Sequence, residues 1–238
     1  MQWRHEGVQG AMKLVLFDID GTLVSTGAAG SDAMRDVFAE LTGIPDGFAS
    51  IAMSGKTDPS ILLEALRQHQ MDVNAIPVEV FHERYISRLR QTLQEPHRSR
   101  RLMPGLPHLL DELARQEDIV LGLLTGNVAL GAQLKLESFG IWHYFRLGAY
   151  GSDHHDRNAL VPVAQQRVQA LLGHTIPSER TFVIGDTPRD IACAHVHSAR
   201  AIAVATGTYS LAELRQHRPE HCVADLSDVP AMVRIFQE

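Results

Sequence analysis

Three short segments hold the residues whose types and spacing could do chemistry. The first is Asp18-Ile19-Asp20-Gly21-Thr22-Leu23, with two carboxylates two residues apart in a chain reversal. Such a pair can converge on one hard cation, because magnesium prefers oxygen ligands and keeps part of its water shell. The same residues also suit a plain acidic turn whose geometry Gly21 supplies. The second segment is Leu123-Leu124-Thr125-Gly126-Asn127, where a hydroxyl and exposed backbone N–H groups can accept an anion. Thr-Gly-Asn is an ordinary turn sequence as well. The third, Val183-Ile184-Gly185-Asp186-Thr187-Pro188-Arg189-Asp190, brings one acidic residue to a strand end and a second just inside a helix. Asp190 near a helix N-terminus is also a favourable dipole partner with no further role.

The elements that must carry these segments can be read from apolar patterning. Lys13 to Phe17 is a short continuous apolar run, as expected of a strand buried on both faces of a parallel sheet. Similar runs recur at Ile119 to Leu124, Thr181 to Ile184 and Ala201 to Val204, each followed by Gly, Asp or Thr and then a helical pattern. That alternation predicts α/β architecture. Helices are expected at about Leu106 to Arg115, Leu130 to Phe139 and Leu160 to Leu171. Asp18, Asp20, Thr125 and Asp186 then fall at strand C-termini, where open α/β sheets form their ligand crevices.

Between the first two long strands, roughly Thr26 to Leu102, apolar residues recur at helical spacing and no convincing strand is visible. The stretch is too long for a crossover and reads as a helical insertion, with Pro104-Gly105 marking the return. Within it Asp58 is expected to cap a helix, with Pro59 at the first helical position. Arg98-Ser99-Arg100-Arg101 reads as a solvated charge run.

The constellation of Asp18, Asp20, Thr125, Asp186 and Asp190 resembles the haloacid dehalogenase-like superfamily of phosphohydrolases. That family carries Asp-x-Asp-Gly-Thr first, a Thr or Ser second and Gly-Asp-x-x-x-Asp fourth, and the resemblance runs over nearly the whole chain from Met12. It implies a doubly wound, mainly parallel sheet with an inserted all-helical cap domain. The expected division is a core of residues 12–25 and 103–238 and a cap of 26–102, with 1–11 a loosely ordered extension. Asp18 would be the nucleophile and would ligate Mg2+ together with Asp186 and the backbone carbonyl of Asp20, with Asp190 supporting the metal. Asp20 would act as general acid and then general base. Thr125, Gly126 and Asn127 would hold the phosphoryl group.

One departure from the family stands out. The usual third motif is a Lys between the Thr and the Gly-Asp, and the only Lys after Asn127 is Lys135, inside the helix beside that loop. The expected region reads Gly151-Ser-Asp-His-His-Asp-Arg157-Asn158, so the role goes to Arg157, whose planar fork can hold phosphate. His154 and His155 are adjacent and do not make a metal site. Lys56, in Ser54-Gly55-Lys56-Thr57-Asp58, is expected to contact substrate.

The chain has 238 residues, 45% hydrophobic and 21% charged, with a formal net charge of -6. That balance offers no footprint for nucleic acid or an anionic membrane surface. Cys193 and Cys222 are too few for a disulfide framework. No apolar run approaches a membrane span, and a cytoplasmic protein, monomer or homodimer, is expected. The resemblance is nearest to phosphoglycolate phosphatase-like members and implies a small phosphorylated metabolite as substrate. A phosphomutase of the β-phosphoglucomutase type and a catalytically weak phosphate-ligand-binding protein remain as alternatives.

Overall fold

The computed structural model describes residues 12–96 and 99–237; the expected N-terminal extension, residues 1–11, lies outside them. In chain order the elements are β1 (Lys13–Phe17), β2 (Val24–Thr26), α1 (Ala29–Thr42), α2 (Asp58–Gln68), α3 (Val78–Thr92), β3 (Arg100–Leu102) and α4 (His108–Ala114). They continue with β4 (Ile119–Thr125), α5 (Ala129–Glu137), β5 (Leu147–Tyr150), α6 (Leu160–Leu172), β6 (Thr181–Gly185), α7 (Pro188–Val196), β7 (Arg200–Val204), α8 (Leu211–Gln216), β8 (His221–Val223) and α9 (Val229–Ile235).

Six of the strands form one parallel sheet in the order β5-β4-β1-β6-β7-β8. Because strand side chains alternate between faces, β1 feeds two separate cores. Val15 and Phe17 pack with Leu109, Leu110 and Leu113 of α4, Leu136 of α5 and Ile235 of α9. Leu14 and Leu16 pack on the other face with Leu160 and Val168 of α6, Ile191 of α7 and Leu214 of α8. Fully burying such side chains contributes about 1.5–3 kcal/mol each, which makes the sheet the rigid platform on which the strand ends are fixed.

The three helices α1, α2 and α3 gather a third apolar cluster, which includes Val37, Phe38, Leu62, Leu66, Phe81, Tyr85 and Leu89. Val128, just before α5, joins it from the sheet side. The stripes at Ala33, Val37 and Phe38, at Ile61, Leu62, Ala65 and Leu66, and at Phe81, Tyr85 and Leu89 are the buried faces of these helices.

The structure differs from the sequence expectation in several places. Strands β2 and β3 pair antiparallel at the two ends of the helical stretch, with Val24 opposite Leu102 and Thr26 opposite Arg100. Three-residue strands carry too little alternation to be read from sequence. Arg100 and Arg101 therefore belong to a strand, and the Arg100 guanidinium stands 5.2 Å from the ring centre of Phe139. The cap of α2 is Thr57 instead of Asp58: its Oγ1 accepts from the Ser60 N–H at 3.3 Å, and Asp58 and Pro59 follow inside the helix.

Candidate active site

Strand β1 has β4 on one side and β6 on the other, in register Phe17 opposite Leu123 and Phe17 opposite Ile184. The connections leave β1 in opposite directions at this point, and a crevice opens beyond the strand C-termini. The residues that follow, Asp18, Thr125 and Asp186, are thereby brought to one place from three separate parts of the chain.

Asp18 is buried, and burial pushes its carboxyl up to about 6 against the opposing pull of Arg157. Arg157 Nη2 lies 3.1 Å from Asp18 Oδ1 and also bonds Asp190 Oδ1 and, at 3.2 Å, the Leu124 carbonyl. Burial opposes the guanidinium charge, but Asp190 and Asp18 carry its pKa above the usual value. Arg157 is 6% exposed, so it is no surface residue. Its placement on Asp18 follows from the short helical turn Arg157–Ala159 that precedes α6, with Asp156 Oδ1 accepting from the Asn158 N–H at 2.9 Å.

The donor set suits a divalent cation. Carboxylate oxygens of Asp18, Asp186 and Asp190 all lie within 4.8 Å of one another. Burial, then the neighbouring Asp190 and Asp18 carboxylates, raise the Asp186 carboxyl to about 8. Asp190 is already engaged: Arg157 takes Oδ1, while Oδ2 accepts from the Thr187 N–H at 3.0 Å and Thr187 Oγ1 at 2.7 Å. Asp186 Oδ1 accepts from Thr22 Oγ1 at 3.2 Å. Around Oδ2 the chain keeps side chains away. A Cβ on Gly21 would stand 2.5 Å from it, and one on Gly207 would overlap it. An all-oxygen, buried, anionic recess of this kind fits a hard cation.

Asp20 is more open. Its Oδ2 accepts from Asn127 Nδ2 at 2.9 Å and from Lys135 Nζ at 2.6 Å. Asn127 Nδ2 also donates to Thr125 Oγ1 at 2.8 Å, and Lys135 Nζ donates to Asn127 Oδ1 at 2.6 Å. Lys135 was not among the expected site residues. The signal that could have found it is its place on α5: Gly131, Ala132, Lys135 and Leu136 form the buried stripe of that helix, and a lysine on an inward stripe needs a partner.

The helical cluster seats on this crevice through the 54–58 segment. The Asp58 N–H donates to the Gly126 carbonyl at 2.8 Å, and the Val128 N–H donates to Asp58 Oδ2 at 2.9 Å. Thr57 Oγ1 donates to the His155 carbonyl at 2.6 Å, and Arg189 Nη1 donates to the Ser54 carbonyl at 3.0 Å. Gly126 is a glycine because a Cβ there would overlap the Lys56 carbonyl oxygen. Lys56 itself is paired with Glu64 and lines, with Asp18, Thr125, Asn127, Lys135 and Arg157, a cleft of ≈ 140 Å³. A second cleft of ≈ 280 Å³ lies beyond Asp20, lined by Ser25, Ser31, Arg101, Lys135 and Thr206 among others. His154 and His155 stack with ring centres 4.7 Å apart and lie exposed, outside the acidic group.

The family model for haloacid dehalogenase-like hydrolase matches residues 15–204, a span that contains Asp18, Asp20, Thr125, Lys135, Arg157, Asp186 and Asp190. The chain belongs to that hydrolase family. It is 28% identical to the probable phosphatase IndB of Dickeya dadantii over 233 residues, 91% of each chain. It is 24% identical to a phosphoglycolate phosphatase of Pseudomonas syringae pv. tomato, over 90% of this chain and 77% of the other. Among solved structures, CbbY from Rhodobacter sphaeroides in complex with phosphate superposes with a TM-score of 0.72 at 19% identity, over 92% of this chain and 96% of that one. A hydrolase from Pseudomonas syringae gives 0.70 at 20% identity, over 94% and 99%. The fold of this hydrolase is therefore the parallel α/β sheet with helices on both faces. Among the described residues no helix is long and apolar enough to cross a membrane.

Proposed function

We propose that this hydrolase is a magnesium-dependent phosphatase of small phosphomonoesters, acting through an aspartyl-phosphate on Asp18. The observation that carries the reading is the environment of Asp18: a buried carboxylate at a strand end, with a guanidinium 3.1 Å away on one side and Asp186 on the other. An anionic nucleophile attacking an anionic phosphate needs counter-charge, which Arg157 supplies beside Asp18 and which a cation held by Asp18 and Asp186 would add. Names of relatives support the same class: a probable phosphatase and a phosphoglycolate phosphatase.

In this reading Asp18 Oδ adds to phosphorus as the bond to the leaving oxygen breaks, and Asp20 gives that oxygen its proton. Water then adds to phosphorus, Asp20 takes its proton, and the bond to Asp18 breaks with its electron pair returning to the carboxylate. Thr125 Oγ1, the N–H groups of the 125–127 turn and Arg157 hold the phosphoryl oxygens. Asp18, Asp186 and the backbone carbonyl of Asp20 would hold Mg2+, which supplies charge neutralisation when bound. Asp190 supports the site by fixing Arg157. The division into a core of 12–25 and 103–238 and a helical cap of 26–102 belongs to this proposal, with the cap excluding bulk water and Lys56 meeting the substrate.

The test is phosphate release from a panel of small phosphomonoesters, with and without Mg2+, by the wild type and Asp18→Asn. The expected result is Mg2+-dependent release that the substitution abolishes. Release by Asp18→Asn at the wild-type rate would sink the nucleophile assignment. No release from folded wild type across a broad panel would sink the phosphatase reading.

A further inference from the structure

We propose that Lys135 is the positioning residue of the acid–base carboxylate Asp20, required for the water step more than for attack on the substrate. The proposal rests on the phosphatase reading above and adds to it a residue that no motif of the chain supplies.

Lys135 is 4% exposed. A buried ammonium is costly unless it is paired and hydrogen-bonded, and the pairing here is specific. Its Nζ donates to Asp20 Oδ2 and to Asn127 Oδ1, both at 2.6 Å, while Asn127 Nδ2 closes the ring by donating to the same Asp20 oxygen at 2.9 Å. Asn127 is in turn tied to Thr125 Oγ1. Lys135 thus joins the carboxylate that moves protons to the turn that faces the phosphoryl group.

Both bonds to Asp20 fall on Oδ2, which leaves Oδ1 as the oxygen able to exchange a proton. The Asp20 side chain is 44% exposed and free to swing in the absence of such a tether. During phosphoryl transfer from substrate a good leaving group departs without needing that proton. Hydrolysis of the aspartyl-phosphate has no such exemption: the entering water must lose a proton to Asp20 Oδ1 as its oxygen bonds to phosphorus and the bond to Asp18 breaks. Lys135 also lines both clefts, the second of them together with Asp20.

Space for the ammonium comes from the helical cluster. A Cβ on Gly30, in the first turn of α1, would stand 2.9 Å from Lys135 Nζ and 3.2 Å from its Cε. Gly30→Ala therefore crowds the ammonium while keeping every polar group, and alanine is the better helix residue.

The experiment is rapid-quench and steady-state kinetics of the full chain with p-nitrophenyl phosphate and Mg2+, comparing wild type, Lys135→Met and Gly30→Ala. Lys135→Met is expected to lower kcat about 10- to 100-fold, part of the ~10²–10⁴ that a positioned acid–base group supplies. It is expected to lower kcat/KM much less and to release a burst approaching one equivalent of p-nitrophenolate per active site. Gly30→Ala, which decides the matter if Lys135→Met does not fold, should show the same signature in weaker form. Turnover within about twofold of wild type in both variants, or a parallel fall in kcat and kcat/KM with no burst, overturns the proposal and leaves the phosphatase reading intact. A wild type without turnover overturns both.

Discussion

Arg157 meets Asp18 and Asp190 with a single nitrogen: Nη2 stands 3.1 Å from Asp18 Oδ1 and bonds Asp190 Oδ1 at the same time. Asp190 cannot turn away, because Thr187 holds its other oxygen through both N–H and hydroxyl. The guanidinium is therefore fixed from behind and presented to the proposed nucleophile, with the Leu124 carbonyl as a further acceptor.

Replacing Arg157 tests that clamp. Arg157→Met leaves two buried carboxylates without their cation, and breaking a buried pair costs about 3–5 kcal/mol. We expect a matching loss in urea denaturation and a fall of about 10²–10³ in kcat, the scale for one lost charge-stabilising donor. Arg157→Lys keeps the charge but bonds as a point, so it should lie between the two. A Lys variant with wild-type kcat would show that the fork is unimportant.

Asp58 should make stability depend on pH. Burial raises its carboxyl from 3.8 to about 6, against the pull of Lys135. The folded chain keeps this proton above the pH at which the unfolded chain loses it, so stability from this group falls as pH rises from about 4 to 6 and stays low above that. Asp58→Asn can still accept from the Val128 N–H and has nothing to ionise. From pH 4 to pH 7 its stability should gain on wild type by on the order of 3 kcal/mol. Parallel pH profiles of the two proteins in urea melts would refute this.

Gly126→Ala should unseat the helical cluster. The added Cβ overlaps the Lys56 carbonyl oxygen, and relief requires moving the 54–58 segment off the Gly126 carbonyl that Asp58 bonds. Overpacking of this kind costs about 1–3 kcal/mol. Limited proteolysis should cut faster between α1 and α3, with kcat falling while the sheet melts normally. An unchanged digestion pattern would mean that the segment adapts in place.

The strands that carry Asp18, Thr125 and Asp186 were legible because they are buried on both faces, which requires continuous apolar runs. Their positions at the C-terminal ends followed directly. The helices of the 26–102 stretch were legible from stripes such as Ile61, Leu62, Ala65 and Leu66. Strands β2 and β3 were not, since Val24-Ser25-Thr26 and Arg100-Arg101-Leu102 find their identity only in each other. Asp58 was misread because Asp before Pro at a helix start has a sufficient local explanation, whereas its buried carboxylate serves a contact 70 positions along the chain.

The sequence alone determined the parallel α/β class and the three acidic and hydroxyl-bearing segments, because burial periodicity and strand-end placement are local properties written in residue order. Arg157 was legible as the cation beside Asp18, because it stands where the family carries its lysine, whereas only the tertiary structure decided that Lys135 serves Asp20. Arg157 reaches Asp18 and Lys135 reaches Asp20 because the sheet order sets β4 and β6 on either side of β1. Long cationic side chains can reach many places from a given backbone position, and the crowding of buried charges against one another selects the pairing.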